Sequence, residues 1–216
     1  TYTFAELPIG TVANLPDSFF ARPGLESMPR LDYASMRVAN VKDFGAKGDG
    51  EADDKAAFDR AVDALQAVGG GIVYMPAGRY YFAPPPPPGS APETRRFWDR
   101  TGDRALNNIH FVGDGESTVV EFRNPGIHDL QAGQAYHNAN GAYAGGRPYG
   151  WRLHGTNYSL RGFSTSWSTR MDMRSINGPY NIGLSGEDIQ VTQLNIDQGG
   201  IGVVFWQGSK RIWAVD

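Results

Sequence analysis

Two aspartates, Asp197 and Asp216, stand 19 residues apart, each closing a short apolar run, Leu194-Asn195-Ile196 and Trp213-Ala214-Val215. A third, Asp172, sits among cations in Arg170-Met171-Asp172-Met173-Arg174. Carboxyl groups brought together in pairs act as acid and base, or as acid and nucleophile, which is what hydrolysis of a glycosidic bond requires. The same residues also suit plain corner or ion-pair positions. Flat apolar rings of the kind that sugars rest on are supplied by Trp167, Trp206, Tyr143 and Tyr149, with Arg170 and His128 as polar contacts. The other available chemistry is proton removal beside a carboxylate, which needs a base (Lys, Arg, His or Tyr) and a cation, often calcium, on the carboxylate. The histidines, at 110, 128, 137 and 154, show no metal-ligand spacing, so no metal site is expected from them.

These residues need a scaffold that repeats. Aligning Ile189 with Ile212 and Val191 with Ala214 gives a period of 23 residues, the length of one coil of a β-solenoid. The preceding pair, Leu160 and Val191, is 31 apart, with the surplus assigned to the loop 169–178. A leucine-rich repeat has a similar period, but its leucine–asparagine consensus is missing. In a stacked solenoid, residues one period apart become neighbours about 4.8 Å apart, so side chains from successive coils can form one site. His110 falls on a strand position expected to face outward. Glu187 and Asp188 precede a strand and are expected to be solvated turn residues.

Upstream, Val38–Phe82 predicts a strand, a helix and two turn-linked strands. Phe58, Ala61, Val62 and Leu65 recur at helical spacing, Asp53 or Asp54 is placed to cap the helix, and Gly69-Gly70-Gly71 ends it. Ile72-Val73-Tyr74-Met75 and Arg79-Tyr80-Tyr81-Phe82 are the strands. The glycine-rich turn Phe44–Gly50 lacks the patterns of a phosphate cradle. Residues 1–37, broken by four prolines, predict an extended arm over the body. Pro84–Pro88 opens a surface excursion in which Arg95, Arg96, Phe97, Trp98 and Arg100 either stack on a sugar or pin the loop. The organisation expected is therefore an arm (1–37) and one domain (38–216), made of a cap (38–83), a proline-rich loop (84–107) and coils (108–216).

The run Asn40-Val41-Lys42-Asp43-Phe44-Gly45-Ala46-Lys47-Gly48-Asp49-Gly50, then Asp53-Asp54 and Gly69-Gly70-Gly71-Ile72-Val73-Tyr74-Met75-Pro76-Ala77-Gly78, resembles the N-terminal cap of the pectate-lyase-like superfamily. That resemblance implies an all-β fold, a right-handed parallel β-helix (solenoid) with an N-terminal amphipathic capping helix. The superfamily includes glycoside hydrolases, pectate and alginate lyases, mannuronan epimerases and phage tailspikes. The stretch 182–216 is similar, more weakly, to coils that precede the catalytic aspartates of α-1,3-glucanase-type hydrolases. The alginate epimerase and lyase signature of a His close to acids on one coil is not evident.

Composition sets the remaining bounds. A net charge of −3 and a pI near 5.8 argue against a nucleic-acid partner, and no run nears the roughly 18 apolar residues of a membrane span. The absence of cysteine excludes disulfides and thiol chemistry. A chain beginning at Thr1, with no signal peptide, is read as a processed extracellular protein. No C-terminal cap is visible, so more of the same β-helix is expected beyond residue 216. The expectation is a secreted glycoside hydrolase with carboxylates on adjacent coils and a polysaccharide as its partner. It needs no cofactor, calcium being possible for a lyase. The alternatives are a lyase or epimerase on a uronate polymer and a tailspike-like glycan-binding protein.

Overall fold

The computed structural model describes residues 14–83, 96–123, 149–167, 180–197 and 201–215. In chain order these form α1 (Asp17–Phe20), β1 (Val38–Asn40), β2 (Asp49–Asp53), α2 (Lys55–Gln66), β3 (Gly71–Met75) and β4 (Gly78–Phe82). There follow β5 (Arg96–Arg100), β6 (Leu106–Gly113), β7 (Thr118–Phe122), β8 (Tyr149–Trp167), β9 (Tyr180–Asp197), β10 (Ile201–Phe205) and β11 (Lys210–Val215).

Every strand pairing is parallel. The pairings sort into three stacks. The first is β1–β3–β6, then the middle of β8, the middle of β9, and β11. The second is β2–β4–β7 and the ends of β8 and β9. The third is β5, the starts of β8 and β9, and β10. The long strands β8 and β9 thus bend twice and serve all three stacks, as a coil of a right-handed parallel β-helix does. The period seen in the sequence is the pairing itself: Ile212 lies opposite Ile189, Ala214 opposite Val191, and Val191 opposite Leu160.

Corners of the coil are tight where a rung places a residue in the left-handed region. Asn108, Asn157, Asp188 and Arg211, at φ 51–56°, lie above one another between the third and first stacks. Asparagine and aspartate tolerate this backbone because their short polar side chains bond locally. Asn157 Nδ2 donates to Asn108 Oδ1 at 3.0 Å, and Arg211 Nε donates to Asp188 Oδ1 at 2.5 Å. Gly186 near the same corner is obligatory. Its φ is +114°, and a Cβ would stand 1.8 Å from the Gly155 carbonyl oxygen. The third corner differs. From Phe82 to Arg96, Phe122 to Tyr149, Trp167 to Tyr180 and Asp197 to Ile201, the chain passes each time from the second stack to the third.

The interior is a column of aromatic rings. Phe58, Phe82, Trp98, Phe111, Phe122, Trp151, Phe163 and Trp167 are all buried, and successive pairs meet edge-on or tilted. That geometry sets each ring's positive edge against a neighbour's negative face. Two expectations change here. Residues 96–100 are not part of a surface loop but strand β5, whose Phe97, Trp98 and Arg100 are buried. Trp167 lies in the interior against Phe97 and Phe122, with no face for a ligand.

Helix α2 occupies the chain position that third-stack strands occupy in later coils, and it buries Ala57, Phe58, Ala61, Val62 and Leu65 in the same interior. Its outer acids bind β5: Asp59 Oδ1 accepts from Trp98 Nε1 at 2.9 Å, and Asp63 from Arg100 at 2.7 Å. Asp54 does not cap the helix with its carboxylate. That group accepts instead from the backbone of Lys47, Gly48 and Tyr81, tying the glycine-rich turn to β4.

Candidate functional site

Outward positions on the first stack are covered. The column Val38, Ile72, His110, Ser159 and Gln190 is buried because residues 14–36 lie across it. Tyr33 packs with Val38, Ile72, Tyr74 and Val112, and the cluster of Phe19, Phe20, Leu25 and Met28 meets Trp213 and Val215 of β11. Gln190 Nε2 donates to the Pro29 carbonyl at 2.9 Å. His110 does point outward as its alternation implied, but it ends beneath this arm. A polymer therefore has no access to this face.

The third stack has exposed outward positions among the described residues at His154 and Trp206. Alternation along β8 turns Trp151 and Leu153 inward, both fully buried, and Arg152 and His154 outward. Asp99, Arg152, Gly183 and Val204 form one outward column by register. His154 and Ser185 are partners in the next, with His154 Nδ1 2.9 Å from Ser185 Oγ. Two steps along a strand is about 6.7 Å, so the Arg152 guanidinium and the His154 imidazole serve the same region of surface.

Aromatic rings border that region. Trp206 follows β10 and, with Val68, is one of two large apolar side chains exposed among the described residues, at 38%. Its ring lies 5.7 Å from Tyr149, centroid to centroid, and the Arg152 guanidinium carbon is 5.7 Å from its centre. Tyr149 stacks in turn on Tyr180 at 4.7 Å and 12°. Gly183 makes room for this layer, since a Cβ there would stand 3.0 Å from the Tyr149 ring and 3.2 Å from Trp206 Nε1. Of the rings that the sequence offered, Trp206 is exposed, whereas Tyr149 is buried against it.

Of the proposed carboxylates, Asp197 is exposed at the end of β9, on the outward side of the second stack opposite Ser166. Asp216, Asp172, Arg170, Tyr143 and His128 lie outside the described residues. The pairing of Asp197 with Asp216 does not follow from the register. Val215 ends β11 opposite Thr192 on the first stack, before the corner that leads to Asp197. Sequence reasoning passed over Arg152, His154, Tyr180 and Ser185, although the alternation Trp151-Arg152-Leu153-His154 was there to be used. Glu187 and Asp188 pair with Arg211, which holds both carboxyls below their ordinary range. No three metal-ligating side chains converge among the described residues.

A family model described as rhamnogalacturonase A/epimerase, pectate lyase-like, matches residues 38–157. Mannuronan C5-epimerase AlgE1 of Azotobacter vinelandii is 56% identical over 81 residues, which are 38% of this chain and 5% of that protein. Alginate lyase 7 of the same organism is 40% identical over 84 residues, 38% of this chain and 8% of that protein. The chain therefore matches only a small part of either relative's length. Among solved structures, the A-module of Azotobacter vinelandii mannuronan C-5 epimerase AlgE6 superposes with a TM-score of 0.52 at 21% identity, over 79% of this chain and 40% of that one, and so shares its fold. With 38–157 making up more than half of the residues, the chain belongs to the rhamnogalacturonase A/epimerase, pectate lyase-like family.

Proposed function

We propose that this chain belongs to an enzyme that abstracts the proton at C5 of a uronic acid residue in a polysaccharide, as an epimerase or a lyase does, rather than to a glycoside hydrolase. The observation that carries the proposal is Arg152 and His154 on one outward edge of β8, beside the exposed ring of Trp206. Two relatives named for mannuronan epimerisation and alginate lysis support it over part of the chain.

The chemistry asks for these groups. A proton on the carbon next to a carboxylate is weakly acidic, because its removal adds negative charge to a group already charged. Arg152 offers a planar, permanently charged partner that matches a carboxylate in two-point fashion. His154 takes the proton: the C5–H bond breaks, an N–H bond forms, and the electron pair passes into the carboxylate held by Arg152. Returning a proton from solvent water to the opposite face of C5 gives the epimer. Expelling the C4 oxygen substituent, which takes up a proton from solvent water as it leaves, gives an unsaturated end. Trp206 supplies the flat face that orients the ring. Neutralisation is assigned to Arg152.

The test is to incubate the full-length protein with polymannuronate in deuterated water. C5 deuterium, read by NMR, or unsaturated ends, read by ultraviolet absorbance, is the expected result. Arg152→Ala should lower either rate by about a hundredfold or more. New reducing ends without either signal would refute the proposal in favour of hydrolysis.

A further inference from the structure

We infer that Ser185 is a positioning residue that fixes which nitrogen of His154 is free to act as base. The consequence for catalysis rests on the proton-abstraction reading above; the geometry does not.

Ser185 Oγ lies 2.9 Å from His154 Nδ1 and 3.3 Å from the carbonyl oxygen of Leu153. A carbonyl only accepts, and a serine hydroxyl has one proton to give. With Nδ1 protonated, both contacts are hydrogen bonds: Nδ1–H donates to Ser185 Oγ, whose own proton goes to Leu153. With Nδ1 bare, the single hydroxyl proton serves one acceptor and abandons the other. The arrangement therefore selects the Nδ1–H tautomer and leaves the Nε2 lone pair as the base, since the bond at one ring nitrogen decides the state of the other.

Ser185 is held from beneath. Its backbone N–H donates to Tyr158 Oη at 3.2 Å, and Tyr158 O–H donates to the Ser185 carbonyl at 3.0 Å. Tyr158 is buried, and that burial pushes its phenol far above the ordinary range, so it stays a donor. Leu153 and Leu184, fully buried and paired one position before His154 and Ser185, fix the register. Strand β8 thus presents Arg152 as the carboxylate clamp and His154 as a base of defined tautomer, with β9 supplying the group that defines it.

The experiment compares the ¹⁵N-labelled chain with its Ser185→Ala and Ser185→Thr variants by long-range proton–nitrogen correlation at neutral imidazole, with His154→Gln as the assignment control. His154 should show a protonated Nδ1 and a bare Nε2 in the parent, move toward the mixture of a free imidazole in Ser185→Ala, and return in Ser185→Thr. On polymannuronate, Ser185→Ala should lower kcat by about tenfold or more with KM unchanged. A protonated Nε2 in the parent, or a tautomer unmoved in Ser185→Ala, overturns the inference. The stated tautomers in a protein with no action on uronates would instead leave the positioning intact and sink the proposed function.

Discussion

Lowering the pH should destabilise the fold through one buried imidazole. His110 has no exposed surface, and among the described residues burial alone acts on its titration. Its Nε2 is 3.2 Å from Asn108 Oδ1, which can only accept, so Nε2 carries the proton and Nδ1 accepts from Ser159 Oγ at 3.0 Å. Ser159 has Tyr33 Oη of the arm at 3.4 Å, and the cation on that side is Arg161, 5.2 Å over the Tyr33 ring. A second proton on the ring would place its charge where there is no contact with solvent. Burial accordingly depresses its pKa to about 4, from an ordinary 6.5. In the unfolded chain the imidazole takes a proton below pH 6.5, while the folded one resists until about pH 4. Stability from this group is therefore complete above pH 6.5, declines as the pH falls through that window, and levels off below it. At 1.36 kcal/mol per pH unit the full effect is about 3 kcal/mol. The assay is urea unfolding of the parent and of His110→Gln across that window. Carboxylates titrate alike in both proteins, so the difference between the two slopes isolates His110. Equal slopes, or an NMR titration of folded His110 near 6.5, would refute the reasoning.

Further outcomes follow from the packing. Phe58→Ala, which removes a fully buried ring in edge contact with Tyr80, Phe82, Trp98 and Trp151, should cost about 3–5 kcal/mol in denaturant unfolding. Gly183→Ala, by crowding Tyr149 and Trp206, should raise KM for polymannuronate in steady-state kinetics. An unchanged KM would remove Trp206 from the sugar-binding surface.

The coil was legible because its information is local and periodic. Ile189, Ile212, Val191 and Ala214 carry their register in their spacing, and the helical stripe of α2 carries its inner face. Strand β5 was not legible. A proline run precedes it, and Arg96-Phe97-Trp98-Asp99-Arg100 reads as a polar–aromatic loop unless one knows that Asp59 and Asp63, some forty residues earlier, receive the buried Arg100. Trp167 was misplaced for a related reason, since inside and outside depend on the bends at the corners. Arg152 and His154 were legible by alternation alone. Nothing in their spacing marks them as a pair for chemistry, since their role depends on Trp206, more than fifty residues later.

Two arginines hold Glu121, the acid in register with Asp197, as a carboxylate. On the second stack, Glu121, Ser166 and Asp197 share one outward column. Two rungs of about 4.8 Å put Glu121 and Asp197 near the upper end of the roughly 6.5–9.5 Å span that an inverting pair needs. Distance alone would keep that pair in play. Glu121, however, receives Arg79 at 2.9 Å and Arg123 at 2.6 Å. Burial works to raise its pKa, but those hydrogen bonds and charges prevail and hold it below the ordinary carboxylate range. An acid catalyst must keep its proton near neutral pH, and a carboxylate locked between two guanidinium groups has none to give. Elimination or epimerisation makes the opposite demand, a fixed cation and a neutral base on one side of the chain. Arg152 and His154, the groups proposed for it, stand on a single strand outside the stack that the arm covers.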